Sequence, residues 1–408
     1  MTQASLDTSL FGPLLFDPYD YDFHEDPYPT YRRLREEAPL YRNDELGFWA
    51  LSRHADVITG FRDNTRLSSA NGVSLDPSAY GPHAHKVMSF LAMDDPRHMR
   101  MRQLVSKGFT PRRVADMQER ILELTRGYLE PTVETGEFDW IAEFAGKLPM
   151  DVISELMGVP QQDRAEIRRL ADLVVHREEG VLDVPVAAME ASLHLVGYYA
   201  DMLTERRARR TEDLTSALLD AEIDGDRLTD DEIIGFMFLM VVAGNETTTK
   251  LLGNALYWGA VNKDEAARVL RDPERAPEWT EETLRYDTSS QIVARTAAAD
   301  IDVRGGTIRE GDKVLLLIGS ANRDSEVFED ADEYRIGRDS TNKLASFGGG
   351  VHFCLGAHLA RLEANIALEQ FARHVADYDV DFDRCERVHS TNVRGFAALP
   401  LKVTRRHA

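Results

Sequence analysis

Between Phe347 and Gly356 the chain reads Phe-Gly-Gly-Gly-Val-His-Phe-Cys-Leu-Gly, and no other segment restricts its fold as much. Three successive glycines let a backbone take positive φ or approach a flat ligand closely. Cys354 follows them and stands just ahead of an amphipathic run in which Leu355, Leu359, Leu362 and Ile366 recur at helical spacing. A helix N-terminus lowers the pKa of a thiol, and its free N–H groups can bond the sulfur. A thiolate held in this way is a strong axial metal ligand, tuned by those bonds. Two simpler readings compete. Free cysteines are among the most buried residues, so a structural Cys behind a turn is common. A phosphate-cradling loop would want Lys-Ser or Lys-Thr after the glycines, and neither is present.

Helical periodicity dominates elsewhere, as at Ile121, Leu124 and Tyr128. Thr229-Asp230-Asp231-Glu232 is a capping box that opens into the apolar run Ile233 to Ala243. It predicts a long, mostly buried helix that continues past Thr249 to about Val261. Asp95-Pro96 places a capping Asp before a Pro at a first helical position. Strands are short: Phe48 to Leu51, Val314 to Ile318, and a terminal strand or hairpin over Val393 to Val403. No repeat, low-complexity block or Gly/Ser/Pro-rich linker divides the 408 residues. The expectation is one domain over 1–408, mainly α with a small β portion.

Composition removes several classes. A hydrophobic content of 43% supplies a core, so disorder is not expected. A formal net charge of −22 argues against nucleic acid or an anionic membrane as a general partner. Two cysteines cannot make a disulfide-dense scaffold, nor a closed zinc site without histidines. Cys385 lies in a charged, glycine-free stretch and reads as an ordinary surface or edge-strand residue. Met1 to Thr30 lacks the basic and apolar regions of a signal peptide. The run Ile233 to Ala243 is too short to cross a bilayer, which takes roughly 20 residues. A soluble, cytoplasmic protein is expected.

At every fixed position, the Cys354 segment matches the signature Phe-Gly-x-Gly-x-His-x-Cys-x-Gly, and the chain therefore resembles the bacterial cytochrome P450 family. The likeness runs from about His24-Glu25-Asp26-Pro27-Tyr28 onward. It implies the cytochrome P450 fold and haem b with iron on Cys354, and it places Phe347, Gly348, Ala243 and Gly356 against the cofactor. It also gives a meaning to Ala243-Gly244-Asn245-Glu246-Thr247-Thr248. A Gly and polar groups inside a buried helix are costly. They read either as a local kink satisfied by Thr hydroxyls or, by the resemblance, as an oxygen-binding groove where Glu246 and Thr247 deliver protons. Glu282-Thr283-Leu284-Arg285 resembles a structural Glu-x-x-Arg pair that steadies the cysteine loop. His98, Arg102, Arg295 and His352 match positions that bind haem propionates, and four donors from three distant segments suit two carboxylates. Thr288, Ser325 and Ala331 depart from the usual pattern and leave local turn geometry in question.

The resemblance implies a haem-thiolate monooxygenase, working as a monomer on a hydrophobic small organic substrate. Val242, Ala243, Val293 and Phe396 are expected close to the iron, with Ser69 to Phe90 and the stretch near Val174 to Ala188 lining the pocket. Electrons would come from a separate ferredoxin or flavodoxin, steered to a basic patch of Arg97, Arg100, Lys107, Arg112 and Arg113. Two alternatives are a peroxide-driven peroxygenase of the same fold and a non-catalytic haem-thiolate sensor. Neither needs the Glu246–Thr247 pair.

Overall fold

A computed structural model describes residues 12–175 and 183–406. The helices that position the site are, in chain order, α1 (His54–Arg62), α2 (Arg97–Gly108), α3 (Gln118–Glu134), α4 (Leu148–Met157), α5 (Arg164–Val175), α6 (Val186–Ala208), α7 (Asp230–Val261), α8 (Ala276–Tyr286) and α9 (Ala357–His374). Helix far exceeds strand, so the chain is mainly α with a small β portion, as expected.

The capping box at the head of α7 forms as read. Thr229 Oγ1 accepts from the Glu232 N–H at 3.3 Å, and Glu232 Oε2 accepts from the Thr229 N–H at 2.9 Å. The helix then runs to Val261 without a break at Ala243–Thr248. Thr247 Oγ1 donates back to Ala243 O at 3.0 Å, a bond that occupies the hydroxyl inside an intact helix. Gly244 has a packing reason: a Cβ there would meet Ile153 Cγ1 of α4 at 2.9 Å. Buried Phe236, Met237, Val241, Leu252 and Leu256 contribute about 1.5–3 kcal/mol each. Together they outweigh the roughly 1 kcal/mol that a mid-helix Gly costs.

Beyond Thr247, side chains from distant segments fix α7 by its carbonyls. Ser289 donates to Thr247 O at 2.7 Å, Trp140 to Leu252 O at 3.2 Å, Trp279 to Ala255 O at 3.1 Å and Tyr378 to Leu256 O at 2.8 Å. The capping of α2 differs slightly from expectation. Pro96 is the cap residue, and Asp95 Oδ1 accepts from the Met99 N–H at 3.1 Å.

The strands that frame the site are β1 (Leu40–Asn43), β2 (Phe48–Leu51), β3 (Leu67–Ser68), β4 (Glu137–Asp139), β5 (Ile292–Ala297), β6 (Lys313–Leu317), β7 (Val375–Val380), β8 (Phe396–Ala398) and β9 (Pro400–Arg405). One sheet has the order β1-β2-β6-β5-β3. In it β6 runs parallel to β2 with Lys313 opposite Phe48, and antiparallel to β5 with Val314 opposite Arg295. Strand alternation sends Leu315 and Leu317 into one apolar cluster with Phe16 and Tyr31. It sends Val314 and Leu316 into another with Val57 and Phe61. The largest cluster surrounds α7.

The terminal segment is not one strand or hairpin. β8 pairs with Glu386–Arg387, whereas β9 lies between β7 and β4. Leu399 is turned aside between them: its N–H bonds Asp139 Oδ2 at 3.0 Å, and its carbonyl accepts from Trp140 at 2.9 Å. Among the described residues no helix is long and apolar enough to cross a membrane.

Candidate functional site

The loop ahead of α9 is closed by the Cys354 N–H, which donates to Phe347 O at 3.0 Å. Gly348 and Gly350 take φ of +68° and +63°, and a Cβ at Gly350 would meet Phe61 O at 2.7 Å. The glycines therefore let the loop press against the end of α1 as well as form the floor of a cavity. N–H groups of Gly356 and Ala357 face the Cys354 sulfur, and Arg102 and Arg361 add positive charge nearby. Burial nevertheless wins and raises the thiol pKa, contrary to the lowering expected from the helix N-terminus. The helix end is one partial charge, whereas desolvation acts on the whole sulfur. A coordinated cation would reverse this, since it deprotonates a bound thiol outright.

Cys354 is exposed, but it is exposed to a cavity of about 280 Å³. The α7 wall is Met240, Ala243, Gly244, Thr247, Thr248 and Leu251. The floor is Phe347, Gly348, Cys354, Leu355, Gly356 and Leu359. Val73, Phe90, Leu91, Phe236, Leu239 and Val293 add apolar surface, and Arg102, Arg295 and His352 are the basic groups of the lining.

The basic groups are short of partners. His98 is 1% exposed, and its ring lies 4.0 Å from that of His352. Neither His98 nitrogen makes a hydrogen bond, the nearest group being Asp95 at 3.5 Å from Nδ1. His352 Nδ1 has no partner either. Burial, then the charges of His98, Arg295 and Arg102, push His352 down to about 3. Burial lowers Arg295 to about 10, and the side-chain bond of its guanidinium is to Ala294 O at 2.8 Å. Buried cationic groups without counter-ions are costly, and two carboxylates at the edge of a flat ligand would satisfy them. The residues present fit haem.

The structure brings together on the lining Ala243, Thr247, Val293, Arg102, Arg295, His352, Phe347, Gly348, Cys354 and Gly356, with His98 behind His352. Three expected residues lie elsewhere. Glu246 points away from the cavity and pairs with Lys250 at 3.2 Å. Val242 packs into the core around α7, because residues 240, 243, 244, 247 and 251 share the cavity face and 242 is rotated off it. Phe396 is buried against Tyr257 at 4.7 Å, under the Arg387 guanidinium at 4.3 Å. Leu239, Met240 and Phe236 were missed, although counting helical turns back from Ala243 finds them. Glu363 was also missed. It is a lining residue, burial holds its pKa far above the ordinary range, and one buried carboxyl oxygen has no partner.

The loop 69–90 contributes Val73 and Phe90, whereas 176–182 of the second expected stretch lie outside the described residues. In the basic patch Arg100 is already committed, to Asp226 at 2.6 Å and Glu232 at 2.7 Å. Arg97, Lys107 and Arg112 are exposed. Glu282 and Arg285 are 1% and 0% exposed, and the pair is bidentate at 2.9 and 2.7 Å.

A cysteine at a helix start, beneath a large apolar cavity edged by buried bases that lack an anion, defines the class of haem-thiolate proteins. Comparisons with known proteins agree. The family profile described as Cytochrome P450 matches residues 278–398. A Mycobacterium tuberculosis protein named cytochrome P450 123 is 64% identical over 393 residues, 96% of this chain and 98% of that one. The cytochrome P450 PksS of the Bacillus subtilis bacillaene polyketide synthase superposes with a TM-score of 0.87 at 32% identity, covering 96% of this chain and 100% of that one. CYP109E1 from Bacillus megaterium, solved in complex with corticosterone, gives 0.84 at 31% identity, covering 93% and 99%. The chain belongs to the cytochrome P450 family. It is a haem monooxygenase, and its cofactor is haem b with the iron on a cysteine thiolate.

Proposed function

We propose that this chain inserts one oxygen atom from dioxygen into an apolar organic molecule of steroid or polyketide size, with Cys354 as the axial ligand. The observation that carries this reading is the cavity above Cys354, whose wall beyond the basic edge is built from Val73, Phe90, Leu91, Phe236, Leu239, Met240 and Val293. When bound, haem supplies the activation of dioxygen and the oxidising power. The chain supplies position, protons and exclusion of bulk water. Arg102, Arg295, His98 and His352 receive the propionates. Thr247 presents its hydroxyl from the α7 wall, where it can leave Ala243 O to bond a cavity water. Glu246, one residue before it, is the acid of the pair.

Two results test these roles. Arg295→Leu removes a buried charge-assisted bond worth about 1.5–3 kcal/mol, so haem should leave about 10- to 100-fold more readily to an acceptor protein. Unchanged retention would remove Arg295 from the propionate set. Thr247→Ala should keep the thiolate spectrum of the carbon monoxide complex but lower product per electron about tenfold, with hydrogen peroxide released instead. A fully coupled variant would show that Thr247 has no part in proton handling.

Corticosterone bound to CYP109E1 and the polyketide setting of PksS support the size class. A spin-state titration with steroids, macrolides and hydrophilic sugars should give a low-to-high spin shift with the first two groups alone. A shift produced only by the sugars would overturn the apolar assignment. A ferredoxin or flavodoxin is the proposed electron donor. Exposed Arg97, Lys107 and Arg112 supply its docking charge, and Met99, Val351 and Phe353 are apolar residues 50%, 38% and 42% exposed on the segments that carry Arg97 and Cys354.

A further inference from the structure

Glu246 belongs to a charged cluster on the far side of α7 from the cavity. Its carboxylate is 3.2 Å from Lys250 Nζ, and this ammonium also donates to Phe396 O at 2.9 Å. Lys250 is only 4% exposed. Its stem lies flat on the backbone at Gly395, where a Cβ would meet Lys250 Cβ at 2.5 Å. A buried ammonium needs such a partner, since an unpaired one costs several kcal/mol.

The third charge comes from α5, which packs on α7. Asp172 accepts a long hydrogen bond, 3.4 Å, from Asn245 Nδ2. Asn245 is 2% exposed and precedes Glu246, and its Oδ1 is buried with no partner. Asp172 itself is open to solvent on one side. It therefore has water on one flank and the Glu246–Lys250 pair on the other, at the turn of α7 that carries Thr247.

We propose that Asp172 is the outer carboxyl of the proton entry: it takes a proton from bulk water and passes it to Glu246, through water ordered by Asn245. This rests on the reading of Glu246 and Thr247 given above. In each transfer an O–H bond on Asp172 breaks and one forms on the Glu246 carboxylate. Asp172 is left ionised and regains its proton from solvent, and no electrons move. Protonation also removes the charge that ties Glu246 to Lys250, which frees its side chain to turn toward Thr247.

The electrostatics suit an entry group. Desolvation, and then the Glu246 charge, raise Asp172 to about 6 against the opposing pull of Lys250 and Arg168. Among the described residues, the charged groups that face it are Glu246 and Lys250 of α7 and Arg168 of its own helix, itself paired with Asp151 of α4 at 2.9 Å. Roughly a tenth of such a carboxyl is protonated at pH 7, against about one part in a thousand for an ordinary Asp.

The test uses the haem-loaded chain, a ferredoxin with its reductase, and NADH-driven dioxygen consumption in H2O and D2O. Asp172→Asn should slow consumption about tenfold and enlarge the solvent isotope effect, and Asp172→Glu should restore most of the rate. In difference infrared spectra, a carboxyl band titrating near pH 6 should be present in the parent and absent from Asp172→Asn. If Glu246→Gln is slow while Asp172→Asn matches the parent, the Asp172 role is overturned and Glu246 keeps its place. A parent-like Glu246→Gln would instead remove the reading on which this one rests. Slowing by Asp172→Asn without an isotope change or rescue by Glu would mark a merely structural residue and equally overturn the proposal.

Discussion

Replacing Cys354 with serine is expected to abolish monooxygenase turnover and to remove the long-wavelength Soret band of the ferrous carbon monoxide complex, while leaving the chain folded. The loop is closed by backbone, through Cys354 N–H to Phe347 O at 3.0 Å, and serine keeps that bond. It cannot keep the ligand. In the buried setting that already raises the thiol pKa, a serine hydroxyl stays protonated and is a poor, hard donor to iron. The electron density that a thiolate pushes to the iron is then lost. Cys385→Ser is the control. Its thiol bonds Asp381 O at 3.4 Å and burial pushes it up to about 11, so it remains a thiol at neutral pH and its loss should change neither spectrum nor rate. Retention of the band in Cys354→Ser, or its loss in Cys385→Ser, would assign the iron to the other sulfur or to none.

Arg285→Ala is expected to cost about 3–5 kcal/mol of stability, the range for truncating one partner of a buried ion pair. A guanidinium has five N–H donors, and here five bonds are made. Two go to Glu282, at 2.9 and 2.7 Å; the others go to Asn322 O at 3.2 Å, Ala331 O at 2.7 Å and Glu333 O at 2.7 Å. Glu282 would keep the Arg335 N–H at 2.7 Å and Arg338 at 3.4 Å but lose its main counter-charge. The damage reaches the cysteine loop. Asn322 donates to Ser346 Oγ at 2.8 Å and accepts from the Ala345 N–H at 2.8 Å, so a loosened 322–338 segment frees the strand of chain that leads into Phe347. Urea unfolding should show the lost stability, together with reduced haem loading. A cost below about 1 kcal/mol, as for an exposed i,i+3 pair, would contradict this account.

Local chemistry made much of this legible. The capping box, the length of α7 and the strand at Phe48–Leu51 are written in contiguous residues, and so is the loop that carries Cys354. Ala331, flagged as a departure, turns out to matter by its carbonyl, which any residue supplies to Arg285. What the sequence hides is settled between segments far apart in it. Phe396 looks like a pocket residue until Tyr257 and Arg387 cover it. Arg100 looks like docking charge until Asp226 and Glu232 neutralise it. Glu246 and Thr247 are adjacent, yet about 100° of helical rotation sends one to Lys250 and the other to the cavity. The burial that raises the pKa of the metal-free thiol is hidden for another reason: a helix end is visible in a sequence, whereas the depth of the cavity over the sulfur is not.

Iron K-edge absorption of the purified, haem-loaded chain tests the central claim most directly. The account predicts a shell of porphyrin nitrogens plus one sulfur, present in Cys385→Ser and missing in Cys354→Ser. A shell of nitrogen and oxygen alone in the parent protein would contradict it.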